Sequence, residues 1–204
     1  MSQSINKIMH TPFYYACKNR HRDAAKLLIE KGTKMDWKIK RGQTMLHYTS
    51  YIGWVDISLL LIEYGADVNA QSDEKQTPIY LAIRYNHIDM VKLLIDNGAD
   101  VNPMEHFRRP LETAIRFKHI DIVKLLIDHG ADVNTYIPLS DAISSECTDI
   151  VKLLIDHGAD VNGPYDSDHT IYDQAVCSGN TDIIELLKAH GAMSWYDIAD
   201  HDTT

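Results

Sequence analysis

Residues 77–98 read TPIYLAIRYNHIDMVKLLIDNG, and the fold follows from this stretch. Thr77 offers a hydroxyl that caps a helix N-terminus, and Pro78 suits a first turn, where the missing N–H costs nothing. The spacing predicts a short helix over 79–85, a turn at Asn86 and His87, and a second helix opened by Asp89. Gly98 closes that second helix in the left-handed conformation a C-cap needs. Within it Met90, Val91, Leu93, Leu94 and Ile95 are apolar, while Asp89, Lys92 and Asp96 form one narrow polar stripe. A helix this short and this apolar does not stand alone in water. It must be covered on both sides, which stacking identical units achieves.

The chain supplies the copies. Gly32, Gly65, Gly98, Gly130, Gly158 and Gly191 each close an apolar stretch, at spacings of 33, 33, 32, 28 and 33 residues. The segments DISLLLIEYG, DMVKLLIDNG and DIVKLLIDHG (twice) precede four of them. Pro12, Pro78, Pro110 and Pro138 each stand 20 residues before their glycine, with Met45 and Ile171 at that place in the other two copies. Between copies the sequence is polar and turn-like, as a hairpin finger joining units requires. Repetition of this kind marks a stacked array with one supersecondary unit per period.

Thr77-Pro78-Ile79-Tyr80-Leu81-Ala82, Asp89-Met90-Val91-Lys92-Leu93-Leu94 and Gly98-Ala99-Asp100-Val101-Asn102 resemble the TPLHLA, DIVKLL and GADVN segments of the ankyrin-repeat family. The resemblance recurs six times over roughly residues 11–195. It implies an all-α ankyrin-repeat solenoid of six helix–turn–helix units with hairpin fingers, in a single domain over 1–195 with a tail at 196–204. It also implies a role in binding other proteins. His47 looks like the family's structural histidine, and Asn69, Asn102, Asn134 and Asn162 occupy the loop position that is a hydroxylation target in some members.

Departures from the pattern carry information. The fifth unit is five residues short, and the whole loss falls in its finger, since Asn134 is only four residues before Pro138 whereas Asn69 is nine before Pro78. The fifth finger is therefore expected to be truncated, with 134–137 as a short link and the helices at full length. In the sixth unit Lys188 and Ala189 replace the Ile155-Asp156 pair, as a solvent-facing terminal unit requires. Ser194 with Asp197 three residues on resembles a capping box, so the tail is expected to start with a helical turn that lays Trp195 and Ile198 on the last unit. With 13 residues after Gly191, no appended effector domain is expected.

Composition excludes several classes. Of 204 residues 45% are hydrophobic and 24% charged, which fits a folded chain, and apolar runs stop at four or five residues, far short of the ~20 that span a bilayer. Cys17, Cys147 and Cys177 lack metal-ligand spacing and fit a reducing compartment. Cys147 and Cys177 read as small half-buried thiols. His129, His157 and His190 each precede a helix-ending glycine, near the negative helix end where a proton is favoured. They recur one per unit, about a repeat apart, which weighs against their holding one metal together. No nucleophile–base grouping and no glycine-rich phosphate loop stand out, so no enzyme activity, cofactor or metal site is expected. The start of the sequence lacks a signal-peptide core, and the 23 isoleucines against 9 valines hint at an AT-rich genome, such as a large DNA virus or an intracellular bacterium. A cytoplasmic location, in a host cell in those cases, is the expectation.

Charge is unevenly placed. Residues 1–41 hold 10 Lys/Arg against 3 Asp/Glu, a balance of +7, and residues 42–204 hold 10 against 26, a balance of −16. Lys34, Lys38, Lys40 and Arg41 surround Trp37 in the first finger, a pattern that can track phosphates and stack a base. The acidic remainder of the chain and the lack of any nucleic-acid motif weigh against that alternative.

For a protein partner, the resemblance implies a concave face lined by the two residues before each inter-helix turn. These are Lys18 and Asn19, Tyr51 and Ile52, Arg84 and Tyr85, Arg116 and Phe117, Ser144 and Ser145, Cys177 and Ser178. The central three pairs carry the ring and arginine chemistry enriched at binding hot spots. Tyr51, Ile52, Arg84, Tyr85, Arg116 and Phe117 are expected to form one patch binding an unidentified protein, with a monomeric chain. Lys40 and Arg41 are expected to steer that partner. Gln43, Asp73, Glu74 and Gln76, then Glu105, His106, Phe107 and Arg108, would read its polar rim.

Overall fold

The computed structural model describes residues 11–34, 37–104, 109–134, 138–163 and 169–197. These residues form six helix pairs: α1 (Pro12–Lys18) with α2 (Arg22–Glu30), α3 (Met45–Ile52) with α4 (Val55–Glu63), and α5 (Pro78–Arg84) with α6 (Ile88–Asp96). Then come α7 (Pro110–Arg116) with α8 (Ile120–Asp128), α9 (Pro138–Ser144) with α10 (Thr148–Asp156), and α11 (Ile171–Ser178) with α12 (Thr181–Ala189). A 3-10 turn spans Lys40–Gly42. Among the described residues no β-sheet is present, and no helix is long and apolar enough to cross a membrane. The chain divides into two compact units, Met1–Arg108 and Arg109–Thr204.

The boundaries follow from local chemistry. Thr11, Thr44, Thr77 and Thr170 each accept a hydrogen bond from the third backbone N–H of the helix they precede. Gly32, Gly65, Gly98, Gly130, Gly158 and Gly191 all take positive φ and end the second helices. At the preceding residue His129, His157 and His190 donate Nδ1–H to the carbonyls of Leu125, Leu153 and Leu186 at 2.8, 2.8 and 2.9 Å, and Asn97 Nδ2 donates to Leu93 in the same way. These imidazoles satisfy carbonyls that the helix end leaves open.

The turn between the helices of a pair needs a left-handed residue in every copy. Gly53 and Gly179 supply it in two, whereas Arg20 (φ 56°), Asn86 (φ 58°), Lys118 (φ 56°) and Glu146 (φ 53°) do so elsewhere. A side chain larger than asparagine in this region costs about 1–2 kcal/mol, part of which glycine gives back as chain entropy. Lys118→Gly and Glu146→Gly are each expected to stabilise the fold by about 0.5–1 kcal/mol, read as a rise in the urea midpoint. A lowered midpoint in both variants would contradict this.

Stacking within each unit buries the apolar faces. In the first unit α4 packs between α2 and α6, and in the second α10 packs between α8 and α12. Ile57, Met90, Ile122, Ile150 and Ile183 are aligned in successive second helices and are fully buried, as are Leu94, Leu126, Leu154 and Leu187. At the last pair Val176 is 49% exposed, whereas its counterparts Ile83, Ile115 and Ile143 are fully buried. Lys188 lays its ammonium 5.8 Å from the Tyr172 ring centre, covering part of this end as the sequence anticipates.

Loops are tied by asparagines. Asn69 donates Nδ2–H to the Gly98 carbonyl at 2.9 Å and accepts the Asp100 N–H at 2.9 Å. Asn134 bridges to Gly158 and Asp160 in the same way, at 3.0 and 2.8 Å, and Asn162 to Gly191 and Met193, at 3.2 and 2.9 Å. Each bridge spans from one repeat loop to the next.

The shortened fifth unit keeps a seven-residue first helix and a nine-residue second helix, so the loss lies before Pro138. The expected link over 134–137 lies outside the described residues apart from Asn134. After Gly191 the capping box forms: Ser194 Oγ donates to Asp197 at 2.7 Å and accepts the Asp197 N–H at 3.2 Å. The Asp173 carboxylate receives the Trp195 N–H at 2.9 Å and the Thr170 N–H at 2.9 Å. Burial alone would raise the Asp173 pKa, but these N–H bonds outweigh it and hold it below the usual carboxylate range. Ile198 lies outside the described residues. Cys17 is buried, which pushes its thiol pKa up to about 12, whereas Cys177 is exposed rather than half-buried as expected.

Candidate protein-binding surface

The first unit brings together most of the residues singled out from the sequence. Tyr51 ends α3 as its penultimate residue, and Tyr85 caps the C-terminus of α5. Their rings meet edge to face, with centroids 4.5 Å apart and planes at 83°. Both remain 43–45% exposed, so the pair is preorganised without being used up by the fold. Arg84 stacks over Tyr85 at 5.9 Å and donates to the Tyr80 hydroxyl at 3.3 Å. That hydrogen bond is the largest of the influences that raise its pKa, with the Glu74 carboxylate among the lesser ones. Ile52 is half-buried beside Tyr51. The His87 ring, one turn beyond Tyr85, meets the Tyr51 carbonyl at 3.0 Å and links the two pairs through the backbone.

Several neighbours were not expected. Tyr14 packs edge-on against Tyr15 and lies 6.5 Å from Tyr48, which in turn meets Trp54 edge-on at 6.0 Å. Arg20 sits 5.6 Å over Trp54 and pairs with Asp56 at 3.0 Å, while Lys18 sits 5.7 Å over Tyr14. Each of the three repeats in this unit therefore has a ring attended by a cation: Tyr14 by Lys18, Trp54 by Arg20 and Tyr85 by Arg84. The signal was present in the sequence: Tyr15 and Tyr48 occupy the same place in their repeats, and Tyr14 and Tyr80 share another.

In the second unit Arg116 and Phe117 end α7. Arg116 pairs with Asp141 at 3.4 Å, and Phe117 stacks on His119 at 5.9 Å while staying half-exposed. The following pairs shrink to Ser144 and Ser145, then Cys177 and Ser178, so at this place rings occur only in the earlier repeats.

The finger residues divide. Lys40 is exposed. Arg41 pairs with Glu74 of the next finger at 3.5 Å, and its carbonyl accepts the Asp73 N–H at 2.9 Å. Gly42 is required at this crossing, because it takes φ +67° and a Cβ there would collide with the Asp73 carboxylate. Gln76, expected at the rim, is buried instead, and its carbonyl meets His47 Nε2 at 2.8 Å. His47 Nδ1 in turn accepts the Thr44 N–H at 3.1 Å, closing a capping box. Burial lowers the His47 pKa, so the ring is a neutral structural group. Glu105, His106, Phe107 and Arg108 lie outside the described residues.

A cavity of about 250 Å³ lies below the first finger, lined by Lys38, Thr44, Met45, Leu61 and Asp67 among others. That is smaller than the usual small-molecule site of roughly 300–1,000 Å³. Among the described residues no group of three or more His, Cys, Asp or Glu side chains could hold a metal ion.

A family model described as ankyrin repeats (3 copies) matches residues 2–72, 57–137 and 135–197. Among solved structures, an ankyrin repeat domain from Acinetobacter baumannii AYE is 26% identical, with 89% of this chain and 98% of that chain covered and a TM-score of 0.81. The human ASB11 ankyrin repeat domain is 25% identical, with 90% and 85% covered and a TM-score of 0.76. The ankyrin repeat domain of Bcl-3, described as a unique member of the IkappaB protein family, is 24% identical, with 90% and 87% covered and a TM-score of 0.79. No curated protein matches the chain.

Proposed function

We propose that this chain, which belongs to the ankyrin-repeat family, is an adaptor or inhibitor that works by occupying the surface of a partner protein. Ankyrin repeats are in general protein–protein interaction modules. The observation that carries the reading is the Tyr51–Tyr85 pair: two half-exposed rings locked edge to face, flanked by Arg84, on helices whose buried sides hold the fold. Such rings offer large contact area at low entropy cost, and arginine adds directional pairing to carboxylates. Tyr51, Ile52, Arg84 and Tyr85 are the contact residues of the first unit, and Arg116 and Phe117 those of the second. The chain acts as a monomer in the cytoplasm, as one domain over 1–195.

Lys40 and Arg41 act at longer range. The Arg41–Glu74 pair is exposed, so it contributes little to stability and leaves the finger's charge to influence encounter. The test is affinity capture from cell lysate with the parent and with Tyr51→Ala and Tyr85→Ala, followed by titration of whatever the parent retains. Each alanine variant is expected to keep its circular-dichroism melt and to lose about 1–3 kcal/mol of binding. A partner bound equally by the parent and both variants would place recognition elsewhere, on the fingers or on the second helices where Leu59 is exposed.

A further inference from the structure

Resting on that reading of the first unit as a protein-binding surface, we infer that its occupant is an acidic segment in the polyproline II conformation, with carboxylates at positions i and i+6 and a large apolar side chain at i+3. Lys18, Tyr51 and Arg84 stand at one place in three successive first helices, each seven residues after its capping threonine, Thr11, Thr44 or Thr77. The repeat therefore sets out a row in the order cation, ring, cation. Its ends are held by the fold: Lys18 over the Tyr14 ring, and Arg84 between the Tyr80 hydroxyl and the Tyr85 ring. Its middle is the half-exposed Tyr51 ring braced by Tyr85.

The spacing selects the ligand's backbone. In the row α3 packs against α5, and Tyr14 of α1 lies 6.5 Å from Tyr48 of α3. Helices in side-by-side contact lie roughly 8–10 Å apart, which sets the spacing of neighbouring members of the row. A polyproline II chain advances about 3.1 Å per residue with three residues per turn, returning a side chain to the same face every ~9.3 Å. A pleated strand returns every second residue, about 6.6 Å, and an α-helix every 5.4 Å, and neither matches the row. Charge selects the ends. No carboxylate stands in the row or beside it at Asn19, Ile52 and Tyr85, and of the nearby acids Asp56 is paired with Arg20 and Glu74 with Arg41. A basic segment would be repelled at Lys18 and Arg84, whereas an acidic one pairs with both.

The probe is a short fluorescein-labelled peptide with the core Glu-Pro-Pro-Leu-Pro-Pro-Glu, followed by fluorescence anisotropy against the full chain. Three controls accompany it: the glutamates moved to adjacent positions, both glutamates replaced by lysine, and an oligothymidylate of similar length. The first peptide is expected to bind at least about tenfold tighter than every control. Lys18→Glu and Arg84→Glu, with unchanged circular-dichroism melts, should each weaken it by about tenfold, and a peptide with lysine at one end should regain that loss. Equal binding of the spacing control, indifference to both charge reversals, preference for the oligothymidylate, or no binding by the first peptide would each overturn the inference. The two readings fail separately. If the lysine peptide or a natural partner binds and Tyr51→Ala weakens it, the surface stands and the acidic occupant falls. If nothing that binds responds to Tyr51→Ala or Tyr85→Ala, the surface falls as well.

Discussion

Replacing Leu154 with alanine is expected to lower the unfolding free energy by about 2–5 kcal/mol, the range for emptying a fully packed leucine site. Leu154 is fully buried on α10, which packs against α8 on one side and α12 on the other, so neither flank is free to collapse into the void. Leu94 and Leu126 are equally buried at the matching places of α6 and α8 and fall in the same range. Leu187 is also fully buried, so the loss of apolar contact with α10 is similar, but α12 has a stacked helix on that side alone among the described residues. The cavity there is open to relaxation, and Leu187→Ala should sit at the low end. Urea unfolding of the four variants measures this, and equal losses at Leu154 and Leu187 would contradict nearest-neighbour stacking.

His47→Ala is the second large effect, with an expected cost of about 2–5 kcal/mol. The fully buried ring ties the Thr44 N–H to the Gln76 carbonyl, 29 residues downstream. Alanine leaves the Thr44 N–H without that partner, worth about 1–3 kcal/mol when buried and unmet, and removes one of two donors to the Gln76 carbonyl, which keeps the Ser72 N–H at 2.9 Å, besides the lost packing. The pH dependence has a definite sign. Burial lowers the folded pKa below the unfolded value near 6.5, so above pH 6.5 both states are neutral and the contribution is whole. As pH falls below 6.5 the unfolded chain takes up a proton that the folded chain refuses, and stability declines until the folded pKa is passed. The difference in stability between the parent and His47→Gln should therefore shrink from pH 8 to pH 5.5. A difference that stays constant would show that the ring titrates alike in both states.

What was legible in the sequence was what local chemistry decides. The threonine caps, the glycine stops and the two helices of each unit depend on residues within a few places of one another, and they stand where the pattern puts them. The exposure of Tyr51, Tyr85 and Phe117 was legible too, because a residue just before the inter-helix turn faces away from both packing partners. Contacts between repeats were not. Arg20 over Trp54, Tyr14 near Tyr48, and Arg41 with Glu74 each join residues 33–34 places apart, and no local rule specifies the partner. Gln76 looks like a surface residue by type, yet it is buried because its carbonyl must reach a histidine in the preceding repeat. The left-handed turns at Arg20, Lys118 and Glu146 were hidden for the opposite reason. Tertiary packing imposes a conformation there that the residue type does not advertise.

The asparagine bridges all point one way. Asn69 reaches forward to Gly98 and Asp100, Asn134 to Gly158 and Asp160, and Asn162 to Gly191 and Met193. A ribosome makes a chain from its N-terminus, so each asparagine leaves the exit tunnel some 24–31 residues ahead of the groups that will hold it. Each of these three loops can close its bridge only after the following repeat has been translated, so in a growing chain its fastening comes from its successor.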